Sequence, residues 1–379
     1  MKKPVYLDYN ATTPIDPEVA GEMIPYIRER YGNPSSSYSI GRRNKEAVDL
    51  ARNQVAALIN ARPDEIIFTS GGTESNNHAI RGSAMANRDK GKHIITSSTE
   101  HPAVTEVCRY LASLGWEITW IPVDAYGKVD PVDVEDAIQP DTVLITIMHA
   151  NNEVGTIQPI REIAAISRKH DIVFHTDAAQ SVGKIETDVA ALGVDLLSIA
   201  GHKLYAPKGI GALYVKRGIP IEKLMYGAGQ EMGWRPGTEN VIHIAGLGKA
   251  CEIAKRDFHK NVETMFAVRE RLWKSLKNKL GGRVHLNTGT AGKLPNTLSV
   301  SFKGIEAHAL VASLGEEVCI SAGSACHADS VKISSVLKAM NMDPAAARGT
   351  VRISTGKFST PEEVDHALDI IINTVTKLS

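Results

Sequence analysis

The chain has 379 residues, and 43 Lys and Arg residues balance 43 Asp and Glu residues, so the formal net charge is zero. This balance excludes a strongly basic surface of the kind that binds nucleic acid or an anionic membrane. The length predicts two domains, one of them large. No apolar run approaches the ~20 residues of a membrane span, and the N-terminus has no long apolar signal segment, so we expect a cytoplasmic protein.

The four cysteines are too sparse for a disulfide framework in a chain of this length. They are Cys108, Cys251, Cys319 and Cys326, and no two of them form a C-x-x-C pair. We therefore expect no structural metal. The sequence also lacks the P-loop, the G-x-G-x-x-G fingerprint and the H-E-x-x-H zinc motif.

The first sixty residues predict a short strand followed by two helices. Residues 5–14 indicate the strand and a polar turn, and residues 17–30 a helix with Asp16 as its N-cap and a proline in its first position. Residues 31–38 are rich in turn formers, and residues 42–60 have apolar side chains at helical spacing.

From residue 65 onward, short apolar strands alternate with helical segments. The first of these strands are predicted at residues 65–69, 93–97, 118–123 and 143–148. Polar clusters follow several of them at the carboxyl end. This alternation predicts a mainly parallel sheet that helices cover on both faces.

The glycine-rich turn after the first of these strands predicts an anion site. It has the sequence SGGTESNN over residues 70–77 and leads into a helix. The free N–H groups and the dipole of a helix N-terminus favour phosphate, and Thr73 offers an additional hydroxyl. Thr73 is also a fair N-cap for an ordinary helix, and this alternative stays open here.

Asp177 and Lys203 are the two residues around which the rest of the chain is organised. Each follows a short apolar strand, predicted at residues 173–174 and 196–199. Ligands of open parallel sheets bind beyond the carboxyl ends of the strands. An amine there can form a Schiff base with pyridoxal phosphate while an acid pairs with the pyridine nitrogen. A lone Asp or Lys is usually a turn or surface residue, but the order, the spacing and the flanking His202 favour this site.

The last third of the chain predicts a loop, a long helix and a smaller domain. Residues 226–238 are rich in glycine and indicate a loop that touches a ligand or a neighbouring subunit. Residues 239–279 predict one long helical stretch between the domains. An α+β domain is predicted from strands near 297–302 and 318–321 and helices near 306–314 and 361–377.

Ten short motifs, in this order, resemble those of the fold-type I pyridoxal phosphate enzymes, and more closely those of the NifS/IscS cysteine desulfurases of the class V aminotransferase family. They are YLDYNATTP, GNPSS, TSGGTESNN, EHPAV, NNEVG, HTDAAQS, GHKLYAPKGIGALYV, RPGTEN, SAGSAC and VRIS. The resemblance implies an α/β fold whose large domain, residues 15–255, has a mainly parallel seven-stranded sheet. It also implies a smaller α+β domain, residues 1–14 and 256–379, that holds the catalytic cysteine loop.

The resemblance implies roles for five residues around the cofactor ring. Lys203 forms the Schiff base and moves the substrate Cα proton, and Asp177 keeps the pyridine nitrogen protonated. His101 stacks on the ring face and assists proton transfer. Gln180 bonds the phenolic oxygen, and Asn151 reaches the same region and the substrate.

The resemblance also implies how the cofactor phosphate and the substrate carboxylate are held. Gly72, Thr73 and His202 contact the phosphate, and Thr238 contributes from a partner subunit of a homodimer. Arg352 binds the substrate carboxylate, for which the planar fork of a guanidinium is well suited. These enzymes often have a serine three residues before the Schiff-base lysine, where this chain has Ala200, so one phosphate hydroxyl is missing.

Cys326 is the predicted persulfide carrier. It lies among small residues in SAGSACHADS, which predicts a mobile loop, and His327 is placed to lower its pKa or take its proton. The resemblance points to the same cysteine, although its relatives more often have Thr or Ser where this chain has His327. The three other cysteines stand in apolar or helical contexts and are expected to be inert.

The predicted reaction removes sulfur from L-cysteine, releases L-alanine and leaves a persulfide on Cys326. The sulfur then passes to an acceptor or Fe–S scaffold protein, for Fe–S clusters, tRNA thiolation or DNA phosphorothioation. One alternative is a selenocysteine lyase or another lyase or aminotransferase with the same cofactor. Another is a non-catalytic scaffold that binds a sulfur-acceptor protein, against which the intact Lys203, Asp177 and His101 argue.

Overall fold

The computed structural model describes residues 3–289, 292–327 and 330–378, with the backbone alone for residues 324–327 and 330–332. Within these ranges the strands are β1 (Val5–Tyr6), β2 (Ile66–Thr69), β3 (His93–Ser97), β4 (Glu117–Ile121), β5 (Thr142–Thr146), β6 (Val173–Asp177), β7 (Leu196–Ala200), β8 (Gly211–Val215), β9 (Val284–Leu286), β10 (Thr297–Phe302), β11 (Val318–Cys319), β12 (Ser321–Ala322), β13 (Ser324–His327), β14 (Ser330–Ile333) and β15 (Thr350–Ser354).

The helices within the same ranges surround and connect these strands. They are α1 (Pro17–Arg28), α2 (Ser39–Leu58), α3 (Gly72–Ala86), α4 (Pro102–Ser113), α5 (Pro131–Asp136), α6 (Ile160–Lys169), α7 (Val189–Leu192), α8 (Val241–Arg256), α9 (Phe258–Leu280), α10 (Ala307–Leu314), α11 (Ser335–Ala339), α12 (Pro344–Arg348) and α13 (Pro361–Leu378). Asp16 caps α1 as predicted, because its side chain accepts a hydrogen bond from the backbone N–H of Glu18.

A seven-stranded sheet forms the centre of the larger part of the fold. Its strand order is β2-β8-β7-β6-β5-β3-β4, and only β8 runs antiparallel to its neighbours. Alternate residues of each strand enter different apolar cores: Ile66 and Phe68 lie in one, and Ile67 lies in the other. Helices therefore cover both faces, and the prediction of an α/β fold with a mainly parallel seven-stranded sheet is confirmed.

A third core lies around a smaller antiparallel sheet of order β12-β15-β10-β9. Helices α9, α10 and α13 pack on this sheet together with Val5 and Leu7 from the start of the chain. The separation of this third core from the two on the large sheet supports the expected division into residues 15–255 and residues 1–14 with 256–379, which stays a prediction. No helix in the described ranges is long and apolar enough to cross a membrane.

The long helical stretch predicted at residues 239–279 is two helices, α8 and α9, which meet at Asp257. Asp257 has φ −105° and ψ 16°, and its N–H still bonds Ile253 O. Aspartate is a poor residue for a helix interior because its short polar side chain competes with the backbone hydrogen bonds. The break lets α8 pack against α1 and α2 while α9 packs against α13.

The segment before the predicted catalytic cysteine also differs from expectation. Residues 318–321, predicted as one strand, contribute to two: β11 pairs with β1 in parallel, and β12 pairs with β15. The backbone around Cys326, predicted as a loop, forms strand β13, which pairs with β14 in an antiparallel hairpin. Backbone pairing outweighs the low strand preference of these small residues, since strand preference depends strongly on context.

Candidate active site

A cavity opens at the carboxyl ends of β5, β6 and β7, where polar residues follow each strand. Seven of the predicted site residues line it together: Gly72, Thr73, His101, Asp177, Gln180, His202 and Lys203. A shared location at the carboxyl edge is what the topology of a parallel sheet dictates. The rest of the wall includes Asn76, Ala200 and residues of the loop after β5.

Lys203 ends a single 3₁₀ turn, Gly201–Lys203, that follows β7 directly. Burial lowers the pKa of its amine, Asp177 acts in the opposite direction, and the positive charge of Arg352 lowers it further. A lowered pKa increases the fraction of neutral amine, which is the nucleophilic form. Lys203 therefore has the chemistry required to attack a carbonyl carbon in the cavity.

Asp177 is the last residue of β6 and is held by two hydrogen bonds. The side-chain N–H of Asn76 donates to Oδ2 at 2.7 Å, and the backbone N–H of Ala179 donates to Oδ1 at 2.9 Å. Asn76 lies on α3, one turn after the glycine-rich segment. Asn76 was not predicted as a site residue, although its position three residues after Thr73, on the same helix face, was an available signal.

His101 is the N-cap of α4, and its Nδ1 accepts a hydrogen bond of 3.1 Å from the backbone N–H of Ala103. Burial lowers the pKa of this imidazole, and the charge of Lys203 lowers it further. The neutral ring therefore carries its proton on Nε2, since Nδ1 is the acceptor. This leaves a neutral aromatic ring with one N–H donor in the cavity wall.

The predicted anion site, at the start of α3, also belongs to the cavity wall. Helix α3 begins at Gly72, so Thr73 is inside its first turn and is not the N-cap. The preceding Gly71 has φ +151°, a conformation that favours glycine. Burial and the charge of Lys203 lower the pKa of His202 to about 4, so this ring is neutral at pH 7. The helix terminus supplies the positive potential.

Ala200 is next to this helix terminus. A Cβ atom added to Gly72 would lie 3.1 Å from the Cβ of Ala200, so only a small residue fits at both positions. Ala200 is the last residue of β7 and lines the cavity. The position where the relatives often have a serine therefore faces the site, and its effect on phosphate affinity stays a prediction.

Gln180 lies in the cavity wall with its amide anchored from behind. Its Nε2 donates to the backbone oxygen of Asn10 at 2.9 Å, and its Oε1 accepts from the ammonium of Lys184 at 2.9 Å. Neither Asn10 nor Lys184 was given a role in the sequence analysis. The long separation of Asn10 from Gln180 in the sequence leaves no local signal for this contact.

Two predicted residues lie just behind the cavity wall. The side chain of Asn151 links two loops: it donates to Thr99 O in the loop after β3 and accepts from the N–H of Val154 in its own loop. Arg352 donates from Nη1 to Asn152 O at 3.0 Å and from Nη2 to Asp8 Oδ1 at 2.6 Å. Since the wall itself contains Asn152, Arg352 is one residue from the cavity, and both predicted roles stay predictions.

Thr238 is exposed and is not part of the cavity wall. The side chain of Cys326 lies outside the described residues, and its backbone is in β13 opposite Val331. Cys108 and Cys251 are buried, as expected for inert cysteines, and burial raises the pKa of the Cys108 thiol to about 12. Cys319 is half-buried.

The residues of the cavity fit pyridoxal phosphate by the chemistry of their donors. A buried amine of lowered pKa suits the aldehyde, and a hydrogen-bonded carboxylate suits the pyridine nitrogen. The N-terminus of α3, whose first residue Gly72 lines the cavity, suits a phosphate. The three groups surround one cavity, so a single molecule can contact all of them.

Comparison with known proteins gives the same family over nearly the whole chain. The model of the aminotransferase class-V family matches residues 5–367. A cysteine desulfurase IscS of Dictyoglomus turgidum is 48% identical over 379 residues, covering 100% of this chain and 96% of that protein. A cysteine desulfurase IscS of Methanosarcina thermophila is 47% identical, covering 99% of this chain and 93% of its own length.

The solved structure of a NifS-like protein superposes with a TM-score of 0.92 at 39% identity, covering 99% of this chain and 100% of that one. The fold, the chemistry of the cavity residues and the sequence identity over the full length all indicate the same family. The chain belongs to the pyridoxal-phosphate-dependent aminotransferase class-V family, and within it to the cysteine desulfurases of the IscS/NifS type.

Proposed function

We propose that this chain removes sulfur from L-cysteine, releases L-alanine and transfers the sulfur to Cys326 as a persulfide. The observation that carries the proposal is the placement of Lys203, Asp177 and the N-terminus of α3 around one cavity. The relatives named cysteine desulfurase, at 47–48% identity over full length, support the choice of substrate.

Bound pyridoxal phosphate supplies an electron sink that makes the Cα–H and Cβ–Sγ bonds of the substrate labile. Lys203 would hold the cofactor through its aldehyde and, as a free amine, would take the substrate Cα proton, a role that its lowered pKa favours. Asp177 would keep the pyridine nitrogen protonated, and Asn76 holds Asp177 in place. His101 lines the cavity with a neutral ring whose proton is on Nε2, because Nδ1 accepts from the backbone.

Substrate orientation is assigned to Arg352. Its guanidinium is within one residue of the cavity and is held by Asp8 and Ser321 at 2.6 and 3.0 Å. The substrate carboxylate suits the planar fork of this guanidinium, and its binding there would direct the substrate amine toward Lys203. Asn151 keeps the loop after β5 in shape, so that Asn152 O can hold the guanidinium.

The sulfur step balances without an external oxidant. The thiolate of Cys326 attacks the substrate sulfur, a S–S bond forms, and the Cβ–Sγ bond breaks with its electron pair left on Cβ. A proton then completes the methyl group of L-alanine. The persulfide is the stored product, and an acceptor protein or a reductant removes its outer sulfur.

Four further proposals concern the setting of this reaction. The exposed segment containing Thr238, with Tyr226 and Met232 exposed in the same stretch, supports a homodimer in which Thr238 contacts the partner's phosphate. A cytoplasmic location, a sulfur-acceptor or Fe–S scaffold partner, and the use of the sulfur in Fe–S clusters or thio-modification remain proposals. Direct binding of nucleic acid is not expected from the zero net charge.

The test is the release of alanine and sulfide from L-cysteine in the presence of a reductant, for the wild type and for Cys326→Ala. Cys319→Ala is the matched control, since this cysteine is half-buried in the same domain. We expect equimolar alanine and sulfide from the wild type and the control, and loss of both from Cys326→Ala. Turnover that is indifferent to Cys326 would support the alternative, a selenocysteine lyase or another lyase with the same cofactor.

A further inference from the structure

Lys184 is a buried lysine next to the site for which the reaction above has no use. It is 4% exposed, and its ammonium donates to Gln180 Oε1 at 2.9 Å and to Asn10 Oδ1 at 3.4 Å. Both acceptors are neutral amide oxygens. A lysine is rarely buried unless it is paired, so an ammonium satisfied by amides is unusual.

A second lysine in the same region, the half-buried Lys357, shows the contrast. Lys357 and Lys184 both line a small internal cavity behind Lys203. Lys357 forms an ion pair with the carboxylate of Asp16 and lies over the ring of Tyr205, which accounts for its burial as a structural contact. The contacts of Lys184 lead instead to Gln180, a residue of the active-site wall.

The contact with Lys184 determines which way the amide of Gln180 faces. An ammonium has no acceptor, so it must meet the amide oxygen and not the amide nitrogen. The nitrogen then faces the backbone oxygen of Asn10, to which it donates at 2.9 Å. One hydrogen of this NH₂ group is thereby used and the second remains. Gln180 lines the cavity and its amide oxygen is already bonded to Lys184, so the group that it offers a ligand is the second N–H, a hydrogen-bond donor.

We propose that Lys184 is a positioning residue that locks Gln180 as a hydrogen-bond donor to the anionic phenolic oxygen of pyridoxal phosphate. This inference rests on the proposed cofactor site and adds to it a residue that does not touch the cofactor. Without Lys184, the amide is free to turn by half a rotation and present its oxygen to the anion, which would repel it.

The charges around Lys184 make the strength with which it orients the Gln180 amide depend on pH. Burial, with the positive charges of Lys203 and Arg352, lowers the pKa of Lys184 to about 7. The other titratable groups near it are His202, and Lys357 and Tyr205 across the internal cavity. Above this pKa the amine is neutral, and its hydrogen bond to Gln180 is no longer charge-assisted and is weaker.

The experiment measures binding of pyridoxal phosphate to cofactor-free wild type, Lys184→Met, Gln180→Leu and the double variant, by fluorescence titration. Lys208→Met is the matched control: it removes an exposed lysine whose charge also acts on His202. Thermal unfolding of each cofactor-free protein shows whether it is folded. We expect Lys184→Met to bind about 10-fold to 100-fold more weakly, since one hydrogen bond to a charged group is at stake.

Two features distinguish this role from a structural one. The double variant should bind as weakly as Gln180→Leu alone, because Lys184 acts only through that amide. The wild type should bind pyridoxal phosphate more tightly than Lys184→Met, and this advantage should shrink as the pH rises through about 7, the pKa of Lys184. Gln180→Leu and the double variant both lack the Gln180 amide oxygen that Lys184→Met would leave unpaired. Comparison of these two therefore remains informative if Lys184→Met alone does not fold.

Unchanged affinity in a folded Lys184→Met would overturn the inference and leave the proposed function standing. So would a further loss of affinity in the double variant relative to Gln180→Leu. Failure of the wild type itself to bind pyridoxal phosphate would overturn both the inference and the proposed function.

Discussion

At the end of the cavity proposed for the cofactor, Asp177 ends β6 and Lys203 follows β7, two neighbouring strands that are buried on both faces of the seven-stranded sheet. At the end proposed for the substrate, Arg352 comes from β15, on the antiparallel sheet of the smaller part of the fold. The cofactor end therefore belongs to a single sheet with a core on each face. The substrate end is assembled where the larger and the smaller part of the fold meet.

The contacts that hold the two ends differ in the same way. Arg352 is fixed by Asp8, which is 344 positions away in the sequence. Ser334, which follows the hairpin of β13 and β14, donates a hydrogen bond of 2.5 Å to the carboxylate of Glu153. These are polar links between distant segments. The strands place Asp177 and Lys203 directly, whereas Arg352 and the hairpin of β13 and β14 depend on a few ionic and hydrogen-bonded contacts between the larger and the smaller part of the fold.

The largest expected effect is at the cofactor end. Lys203→Ala removes both the cofactor anchor and the base, so we expect turnover to fall by more than about 10³-fold, equivalent to about 4 kcal/mol in the barrier. Alanine release and the visible absorbance of the purified protein are the measurements. Lys208→Ala, an exposed lysine five residues further on, is the control and should retain both.

The next effect is at the substrate end and should leave the cofactor end intact. Arg352→Lys keeps the charge and loses the fork, so we expect the KM for L-cysteine to rise about 10-fold to 100-fold, with normal cofactor absorbance. Steady-state kinetics measure this change. Arg348→Lys, an exposed arginine four residues earlier, is the control. A loss of cofactor in Arg352→Lys would show that the two ends are not separable.

A smaller effect is expected from the support of Asp177. Asn76→Ala removes the 2.7 Å hydrogen bond to Oδ2 and leaves that buried carboxylate oxygen short of a donor. Loss of a hydrogen bond to a charged group costs ~1.5–3 kcal/mol, so we expect pyridoxal phosphate to bind about tenfold or more weakly. Titration of the cofactor-free protein measures it. Asn77→Ala, whose amide bonds only the helix backbone at Thr73 O, is the matched control and should bind normally.

The smallest effect on turnover concerns Glu100, buried beneath the cofactor end. Burial raises the pKa of this carboxyl from 4.5 to about 8, and its Oε1 accepts from Ser97 Oγ and from the N–H of Met148. The folded protein holds a proton that the unfolded chain releases above pH 4.5. Folding stability is therefore expected to fall as the pH rises from about 4.5 to about 8.

Glu100→Gln keeps the shape without the ionisation, so its unfolding free energy should lose this part of the pH dependence while turnover stays close to wild type. Urea unfolding of the cofactor-free protein at several pH values within this window measures the slope. The exposed Glu162→Gln should keep the wild-type slope. An identical slope in Glu100→Gln and wild type would contradict the assigned protonation.

The sequence was sufficient to predict where Asp177, Lys203 and the start of α3 lie, because the signals there are local. Apolar strands ending in Asp177 and Lys203 predicted the sheet edge, and the glycine-rich turn predicted the start of α3. The strand order, the antiparallel β8 and the break at Asp257 depend on packing between segments and could not be obtained from periodicity.

The contacts around Asn10 show what the sequence could not provide. Its side chain bonds Thr297 Oγ1 at 2.8 Å and accepts from Asn296 Nδ2 at 2.9 Å, while its backbone oxygen accepts from Gln180. The partners lie 170 to 287 positions away. No local pattern marks such a residue, so neither Asn10 nor the Lys184 contact with Gln180 was predicted.

The most direct test of the account maps the transferred sulfur after a single turnover. Wild-type holoenzyme receives one equivalent of L-cysteine without a reductant, is alkylated, and its cysteine peptides are analysed by mass spectrometry. The account predicts one added sulfur atom on the Cys326 peptide, none on those of Cys108, Cys251 and Cys319, and alanine in equal amount. Alanine release with the sulfur on another cysteine, or on none, would contradict it.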